Sequence, residues 1–118
     1  MLFKPKHKEM ILNGTKTATR RIWKKPMVKV GGIYKCKTKM LSKKYFAKIE
    51  VTKLYLQKLG KVMTEDAKKE GYKSIVDFYR VFEEINGMIN MGQIVYVIEF
   101  KLMEKKWNLI IKDYQKKN

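Results

Sequence analysis

The sequence predicts a single α+β domain whose small sheet, antiparallel or mixed, curls toward a barrel. Three observations predict this: strand-like segments lie on both sides of two helical segments, the alternation shifts by one residue within a strand, and the chain has 118 residues, about one domain. We therefore interpret residues 1–118 as one domain. Residues 105–118 are predicted to be a basic C-terminal tail or a last strand.

The first predicted helix begins at Pro5, which suits the first turn, and ends before Gly14, which suits a C-terminal cap. One face of this helix holds residues spaced by three and four positions, namely His7, Met10 and Ile11. Residues 15–23 follow as a polar segment with an irregular pattern.

Two strands are predicted in the middle of the chain. Residues 34–40 alternate apolar or small side chains with lysines, and residues 45–52 continue with a similar period of two. At Lys53 the parity changes, because Leu54 and Leu56 now carry the apolar pattern. A shift of one residue predicts a β-bulge, which provides the corner that a barrel needs.

Two helices and a central strand are predicted next. Thr64 is expected to cap a short helix that ends at Gly71, and Ser74 is expected to cap a second helix. The second helix has apolar residues at helical spacing, namely Ile75, Phe78, Tyr79, Phe82 and Ile85. Residues 93–102 predict a central strand that buries side chains on both faces.

The charge is concentrated in the first half of the chain. There are 28 Lys and Arg against 11 Asp and Glu; residues 1–48 carry +14 and residues 49–118 only +3. Such a potential attracts polyanions and anionic small molecules. However, 25 of the 28 cations are lysines, which are mostly solvated, whereas arginine is the better sign of phosphate recognition. Both interpretations stay open.

Composition argues against several classes of protein. No apolar run approaches the roughly 20 residues of a membrane span, and the first residues lack the apolar stretch of a signal peptide. One cysteine and one histidine exclude a disulfide framework and disfavour a metal site; we expect Cys36 in the core and His7 in a structural role. We therefore expect a cytoplasmic protein without metal. Separately, we expect a monomer or a weak homodimer.

The segment from Gly14 to Arg21 stands out chemically, because three hydroxyls, a lysine and two arginines follow the helix end. Neighbouring cations and partial burial lower the pKa of a lysine, which is ~10.4 in isolation. Lys16, near Arg20 and Arg21, could then activate the Thr19 hydroxyl as a nucleophile. The alternative is a basic turn that binds solvent or phosphate.

The spacing Gly14-x-Lys16-x-x-Thr19-x-Arg21 resembles the GxKxxTxR motif of ASCH domains, a branch of the PUA-like superfamily. Four other segments resemble parts of the same family, namely residues 9–13, 28–31, 64–71 and 95–100. Gly32 departs from the pattern, since the family usually has Asp there. The resemblance implies a small PUA-like β-barrel with flanking helices, a cleft lined by the motif, and work on RNA or nucleosides.

The chain is similar in length and pattern to small ASCH proteins that act as N(4)-acetylcytidine amidohydrolases. That resemblance implies a threonine nucleophile, a lysine proton acceptor and a glutamate proton donor, without a cofactor. Thr19 and Lys16 match the first two, and the alignment of residues 67–70 selects Glu70. We expect Arg21 to hold a substrate carbonyl, phosphate or oxyanion, and Arg20 to do the same or to face solvent. Gly14 completes the expected substrate-binding set.

The two glutamates of the predicted short helix after Thr64 differ in their expected roles. Glu65 has Lys69 four residues later, which predicts a structural ion pair. Glu70 lies at the helix end, where the dipole disfavours a negative charge, and this suits a proton donor. The alternative for Glu70 is an ordinary surface acid, and Glu9 is the reserve candidate.

Two functions remain in competition at this point. The first is an amidohydrolase acting on an acylated nucleoside. The second is an RNA-binding module, in which lysines within residues 4–48 follow the phosphate backbone; RNA cleavage is a third. Aromatic residues near the basic segment would either stack on a base or pack in the core, namely Trp23, Tyr34 and Tyr45.

Overall fold

The structure, a computed structural model, describes residues 1–105. The helices and strands, in chain order, are α1 (Pro5–Leu12), β1 (Ala18–Arg21), β2 (Ile33–Cys36), β3 (Ala47–Lys58), α2 (Thr64–Lys69), α3 (Ile75–Asn86) and β4 (Ile94–Lys105). A short 3-10 turn, Leu59–Lys61, follows β3. The tail predicted for residues 105–118 lies, apart from Lys105, outside the described residues.

The four strands form one antiparallel sheet with the order β1-β4-β3-β2. The sheet curls into a half-barrel with the helices flanking it. The predicted α+β class is therefore confirmed, and β4 is central as expected. Val95, Val97 and Ile98 of β4 are fully buried, because helices and the curled sheet cover both faces of this strand.

The predicted bulge in β3 is confirmed. Val51 pairs with Phe100 and Lys53 pairs with Glu99, so that Thr52 is the extra residue. A second shift occurs between Lys48 and Ile49. At this second shift the extra residue is Met103 of β4, because Lys48 pairs with Glu104 and Ile49 with Leu102; bulges of this kind increase the local twist of a sheet.

Two strand predictions were wrong in extent. β2 ends at Cys36, and Met40, which the alternation placed on the apolar side, is 76% exposed. Conversely, β1 occupies part of the segment 15–23 that was expected to be irregular. β1 escaped the periodicity analysis because its buried side chains include polar ones, and its pairing with β4 uses the backbone alone.

The helix ends mostly follow the sequence signals. Pro5 begins α1, and Gly14 follows its end with φ +80°. Ser74 caps α3, accepting a hydrogen bond from the Asp77 amide at 3.1 Å. The cap of α2 is one residue earlier than expected: Met63 precedes the helix and donates its amide to the Asp66 carboxylate at 2.8 Å.

The core consists of clusters on the two sides of the sheet. One contains Cys36 with Phe3, Ile11 and Phe100, which confirms the expected core position of the cysteine; burial raises the pKa of its thiol to about 11. A second packs α3 against the sheet. Ile85, at the end of α3, is 38% exposed, although its spacing predicted a core position.

Candidate active site

A cavity of about 310 Å³ opens between the N-terminal segment, β1, the end of α2 and one face of α3. Its polar lining includes the motif residues Lys16, Thr19, Arg20 and Arg21 together with Glu70. All but Arg21 have at most 5% of their surface exposed. The structure thus brings five of the six expected site residues together; Gly14 is exposed and lies outside this lining.

Backbone contacts between α1, β1 and α2 assemble the polar side of the cavity. The Lys16 amide donates to the Met10 carbonyl at 2.9 Å, and the Thr17 amide donates to the Lys69 carbonyl at 2.7 Å. Gly71 follows with φ +101°, and a Cβ there would overlap the terminal methyl of Met10. Glycine suits this position because its φ is strained for other residues, and the Thr17–Lys69 hydrogen bond beside it brings Glu70 next to Lys16.

Lys16 and Glu70 form a buried ion pair. Nζ of Lys16 lies 2.9 Å from Oε1 of Glu70 and donates to the Glu70 carbonyl at 3.2 Å. The two side chains are 2% and 5% exposed. Burial lowers the pKa of Lys16 and the nearby arginines contribute, while the attraction of Glu70 opposes them. The amine of Lys16 therefore gives up its proton more readily than that of an exposed lysine.

Arg20 holds the other oxygen of Glu70. Its Nη1 donates to Oε2 at 3.0 Å, its Nη2 lies 3.2 Å from Oδ1 of Asp66, and its Nε donates to Oε1 of Gln57 at 3.0 Å. The guanidinium also lies 5.8 Å from the centre of the Phe78 ring. Of the two alternatives given for Arg20, solvent exposure is wrong: its planar fork holds the carboxylate in position.

Arg21 contacts the hydroxyl of the motif threonine. Its Nε donates to Oγ1 of Thr19 at 3.1 Å and its Nη2 to the carbonyl of Leu2 at 2.7 Å. It also lies 4.9 Å from the centre of the Phe3 ring. Burial lowers the pKa of Arg21 as well. Because a cation donates to Oγ1, negative charge that develops on this oxygen is stabilised.

The hydroxyl of Thr19 and the amine of Lys16 share the cavity without bonding each other. Within residues 1–105, the hydrogen bonds of Lys16 Nζ go to Glu70 and that of Thr19 Oγ1 comes from Arg21. Catalytic hydrogen bonds are often long before a substrate binds. The geometry therefore places a hydroxyl, a buried amine and a carboxylate around one space.

A second polar pair, His7 and Tyr72, lines the same cavity. Nε2 of His7 and the Tyr72 hydroxyl are 2.5 Å apart. Burial, followed by the cations Lys16 and Lys6, lowers the pKa of His7 to about 4. Burial, followed by Glu70, raises the pKa of Tyr72 to about 12. Sequence analysis missed Tyr72; its place two residues after Glu70 was the available signal.

Other candidates lie elsewhere. Glu9 is exposed and outside the cavity lining. Lys69 does not pair with Glu65 as expected, because Glu99 on β4 lies 3.1 Å away. Two aromatic candidates pack against the buried cluster around Val28, Val51 and Ile98, namely Trp23 and Tyr34. Sequence analysis also missed Asp66 and Gln57, whose local patterns carry no sign that they hold Arg20.

Residues 1–105 carry neither a metal-binding cluster nor a helix that could span a membrane. No group of three His, Cys, Asp or Glu side chains within residues 1–105 is arranged to hold a metal ion. In the same part of the chain, no helix has the length and apolarity to cross a membrane.

Comparisons with known proteins agree with this architecture. An ASCH domain from Lactobacillus crispatus JV V101 is 21% identical (TM-score 0.61; 80% of this chain, 69% of that chain). A protein from Enterococcus faecalis V583 is 19% identical (TM-score 0.66; 85% and 71%). A variant ASCH protein from Zymomonas mobilis is 15% identical (TM-score 0.59; 89% and 66%). No curated protein matches. The sequence model of the ASCH domain matches residues 1–104, and the chain therefore belongs to the ASCH domain family.

Proposed function

We propose that this protein is an amidohydrolase that cleaves an acyl amide on a modified nucleoside such as N(4)-acetylcytidine. The single observation that supports it most is the buried Lys16–Glu70 pair, 2.9 Å between Nζ and Oε1, which shares a cavity with Thr19. A buried amine and acid beside a hydroxyl that a cation already contacts are the parts needed for acyl transfer.

The first step forms a tetrahedral adduct between Thr19 and the amide carbon. Oγ1 of Thr19 attacks the amide carbon, and its proton goes to the neutral amine of Lys16. Transfer of one proton from Lys16 to Glu70 within the pair produces both the neutral amine and a protonated carboxyl group. Arg21 assists by donating to Oγ1 at 3.1 Å, because this contact strengthens as charge builds on that oxygen.

The second step releases the amine and then the acid. Glu70 gives its proton to the leaving nitrogen as the carbon–nitrogen bond breaks. Water then attacks the acyl-threonine. One proton of this water passes through the Lys16–Glu70 pair to Oγ1 of Thr19, and the remaining hydroxyl stays on the acyl carbon as the acid is released. The sum is one amide and one water converted to one acid and one amine. Arg20 keeps Glu70 in place through the 3.0 Å contact to Oε2.

The test is to follow the conversion of N(4)-acetylcytidine to cytidine by chromatography. We expect turnover by the wild-type chain, and a loss of about 10²-fold or more in Thr19→Ala and Lys16→Ala. Thr17→Ala is the matched control, because the Thr17 side chain lies outside the cavity lining and its described hydrogen bonds use the backbone. Absence of turnover in the wild type, or full turnover in Thr19→Ala, would contradict the proposal.

An RNA-binding module is the second candidate, and the outer face of β2 and β3 favours it. Lys35 and Lys48 place their amines 5.0 and 5.8 Å from the centre of the Tyr45 ring. Cations beside an aromatic ring suit a single-stranded nucleic acid. Titration of a short RNA at several salt concentrations separates the candidates, since phosphate contacts give a steep salt dependence. RNA binding that weakens steeply with salt, together with no amide turnover, would favour the RNA-binding module.

A further inference from the structure

The His7–Tyr72 pair has no part in the steps above, although it faces the same space. The Tyr72 ring packs edge-on against Phe78, 6.4 Å between ring centres, and edge-on against His7 at 6.1 Å. The ring is thus held from two sides. Its hydroxyl lies 2.5 Å from Nε2 of His7.

Both members of the pair are uncharged at neutral pH. The pKa of His7 is lowered to about 4, and that of Tyr72 is raised to about 12. One hydrogen therefore lies between Nε2 and the phenol oxygen. A phenol can donate one hydrogen bond and accept two, and among the described hydrogen bonds the Tyr72 hydroxyl has His7 as its one partner. The Tyr72 hydroxyl can therefore form a further hydrogen bond with a molecule in the cavity.

The chain holds the Tyr72 hydroxyl close in sequence to the proposed proton donor. Gly71 separates Tyr72 from Glu70, and the Tyr72 amide donates to the Ala67 carbonyl at 2.9 Å. The same turn therefore carries the carboxylate that would protonate a leaving nitrogen and a neutral hydroxyl. When a carbon–nitrogen bond to an aminopyrimidine breaks, electron density moves onto the leaving nitrogen and onto the ring nitrogen beside it.

We propose that the Tyr72 hydroxyl, positioned by His7, hydrogen-bonds the ring nitrogen next to the acylated amine and so selects amides of amino-substituted nitrogen heterocycles. The proposal rests on the amidohydrolase function. His7 donates from Nε2 to the phenol oxygen, and the phenol hydrogen then points to the substrate. A neutral donor suits this task, because it favours charge on the ring nitrogen and leaves the proton of Glu70 for the leaving amine.

The test compares cytidine with deazacytidine, in which C–H replaces the ring nitrogen beside the amine. We expect the wild-type chain to bind cytidine about tenfold more tightly by calorimetry, equivalent to about 1.4 kcal/mol. Tyr72→Phe, which keeps the ring and its packing, should bind both ligands equally. Its kcat/KM for N(4)-acetylcytidine should fall by a similar factor. His7→Leu should have the same effect, and His7→Gln, which retains a donor to the phenol, should restore part of the preference.

The outcomes separate this inference from the function on which it rests. An equal preference for cytidine in wild type and Tyr72→Phe overturns the role of Tyr72, whether or not the wild type hydrolyses N(4)-acetylcytidine. Loss of the preference in Tyr72→Phe, together with no hydrolysis by the wild type, supports the role of Tyr72 and overturns the hydrolase. Thermal unfolding of each variant shows whether a change in binding accompanies a change in folding.

Discussion

The cavity and the outer face of β2 and β3 both display lysines, but in opposite physical situations. In the cavity, Lys16 is 2% exposed, and its amine lies 2.9 Å from a Glu70 carboxylate that is itself buried. On the outer face, Lys48 and Glu104 are 3.6 Å apart with side chains 34% and 40% exposed. Lys35 is exposed beside Tyr45.

A lysine on the surface and a lysine in the cavity contribute differently to the properties of a basic chain. Hydrated cations on a surface raise the general attraction for anions, and salt screens them. A cation that has lost water has an altered proton affinity and a fixed partner, and burial lowers the pKa of Lys16 accordingly. The net charge of residues 1–48 therefore reports mainly the first kind of lysine, whereas the proposed chemistry depends on the second.

The largest expected effect concerns the stability of the buried pair. Glu70→Gln leaves Lys16 and Arg20 without their shared carboxylate, and removing one partner of a buried pair costs about 3–5 kcal/mol. Asp66→Asn is the matched control, because Asp66 also holds Arg20, at 3.2 Å, but is 21% exposed; we expect about 1 kcal/mol there. Urea unfolding measures both. Equal losses in the two variants would show that burial does not distinguish these contacts.

The next effect concerns the arginine that touches the proposed nucleophile. Arg21→Lys cannot contact Oγ1 of Thr19 and the Leu2 carbonyl together, because an ammonium lacks the planar fork. We expect kcat for N(4)-acetylcytidine to fall about tenfold or more. Arg80→Lys is the control, since Arg80 is a surface residue paired with Asp77 on the same helix. An unchanged kcat in Arg21→Lys would remove Arg21 from the proposed step.

A smaller effect concerns the dependence of stability on pH. The pKa of His7 is about 4 in the folded protein and 6.5 as a free side chain. Since the folded value is the lower one, the unfolded chain binds the proton first as the pH falls. The contribution of His7 is fully present above pH 6.5 and is lost between 6.5 and about 4. The free energy of unfolding of His7→Gln should therefore fall less than that of the wild type over this range. If the free energies of unfolding of the two proteins changed in parallel with pH, the lowered pKa of His7 would be contradicted.

The smallest effect is expected on the outer face. Lys48→Gln and Lys35→Gln should each change the free energy of unfolding by less than about 0.5 kcal/mol, because exposed pairs are weak and screened. The measurement is urea unfolding at low and high salt. A loss comparable with that of Glu70→Gln would erase the contrast between the two regions.

Several features could be derived from the sequence alone, because neighbours along the chain produce them. The helix start at Pro5, the cap at Ser74 and the glycine after α1 follow from local backbone chemistry. The bulge at Thr52 could be predicted because the apolar alternation shifts by one residue within the strand itself. The motif from Gly14 to Arg21 likewise identified four residues that line the cavity, Lys16, Thr19, Arg20 and Arg21, before their positions were known.

Other features depended on the tertiary structure, because they arise between distant parts of the chain. Lys16 meets Glu70 across 54 positions, and both side chains are buried where the end of α2 joins the segment before β1. The strand that contains Arg20, β1, forms by backbone pairing with β4. Its polar side chains show no alternating apolar pattern that would predict a strand. The sequence thus supplied the chemical groups, and the fold decided which of them lost their water, since desolvation is a property of the surroundings.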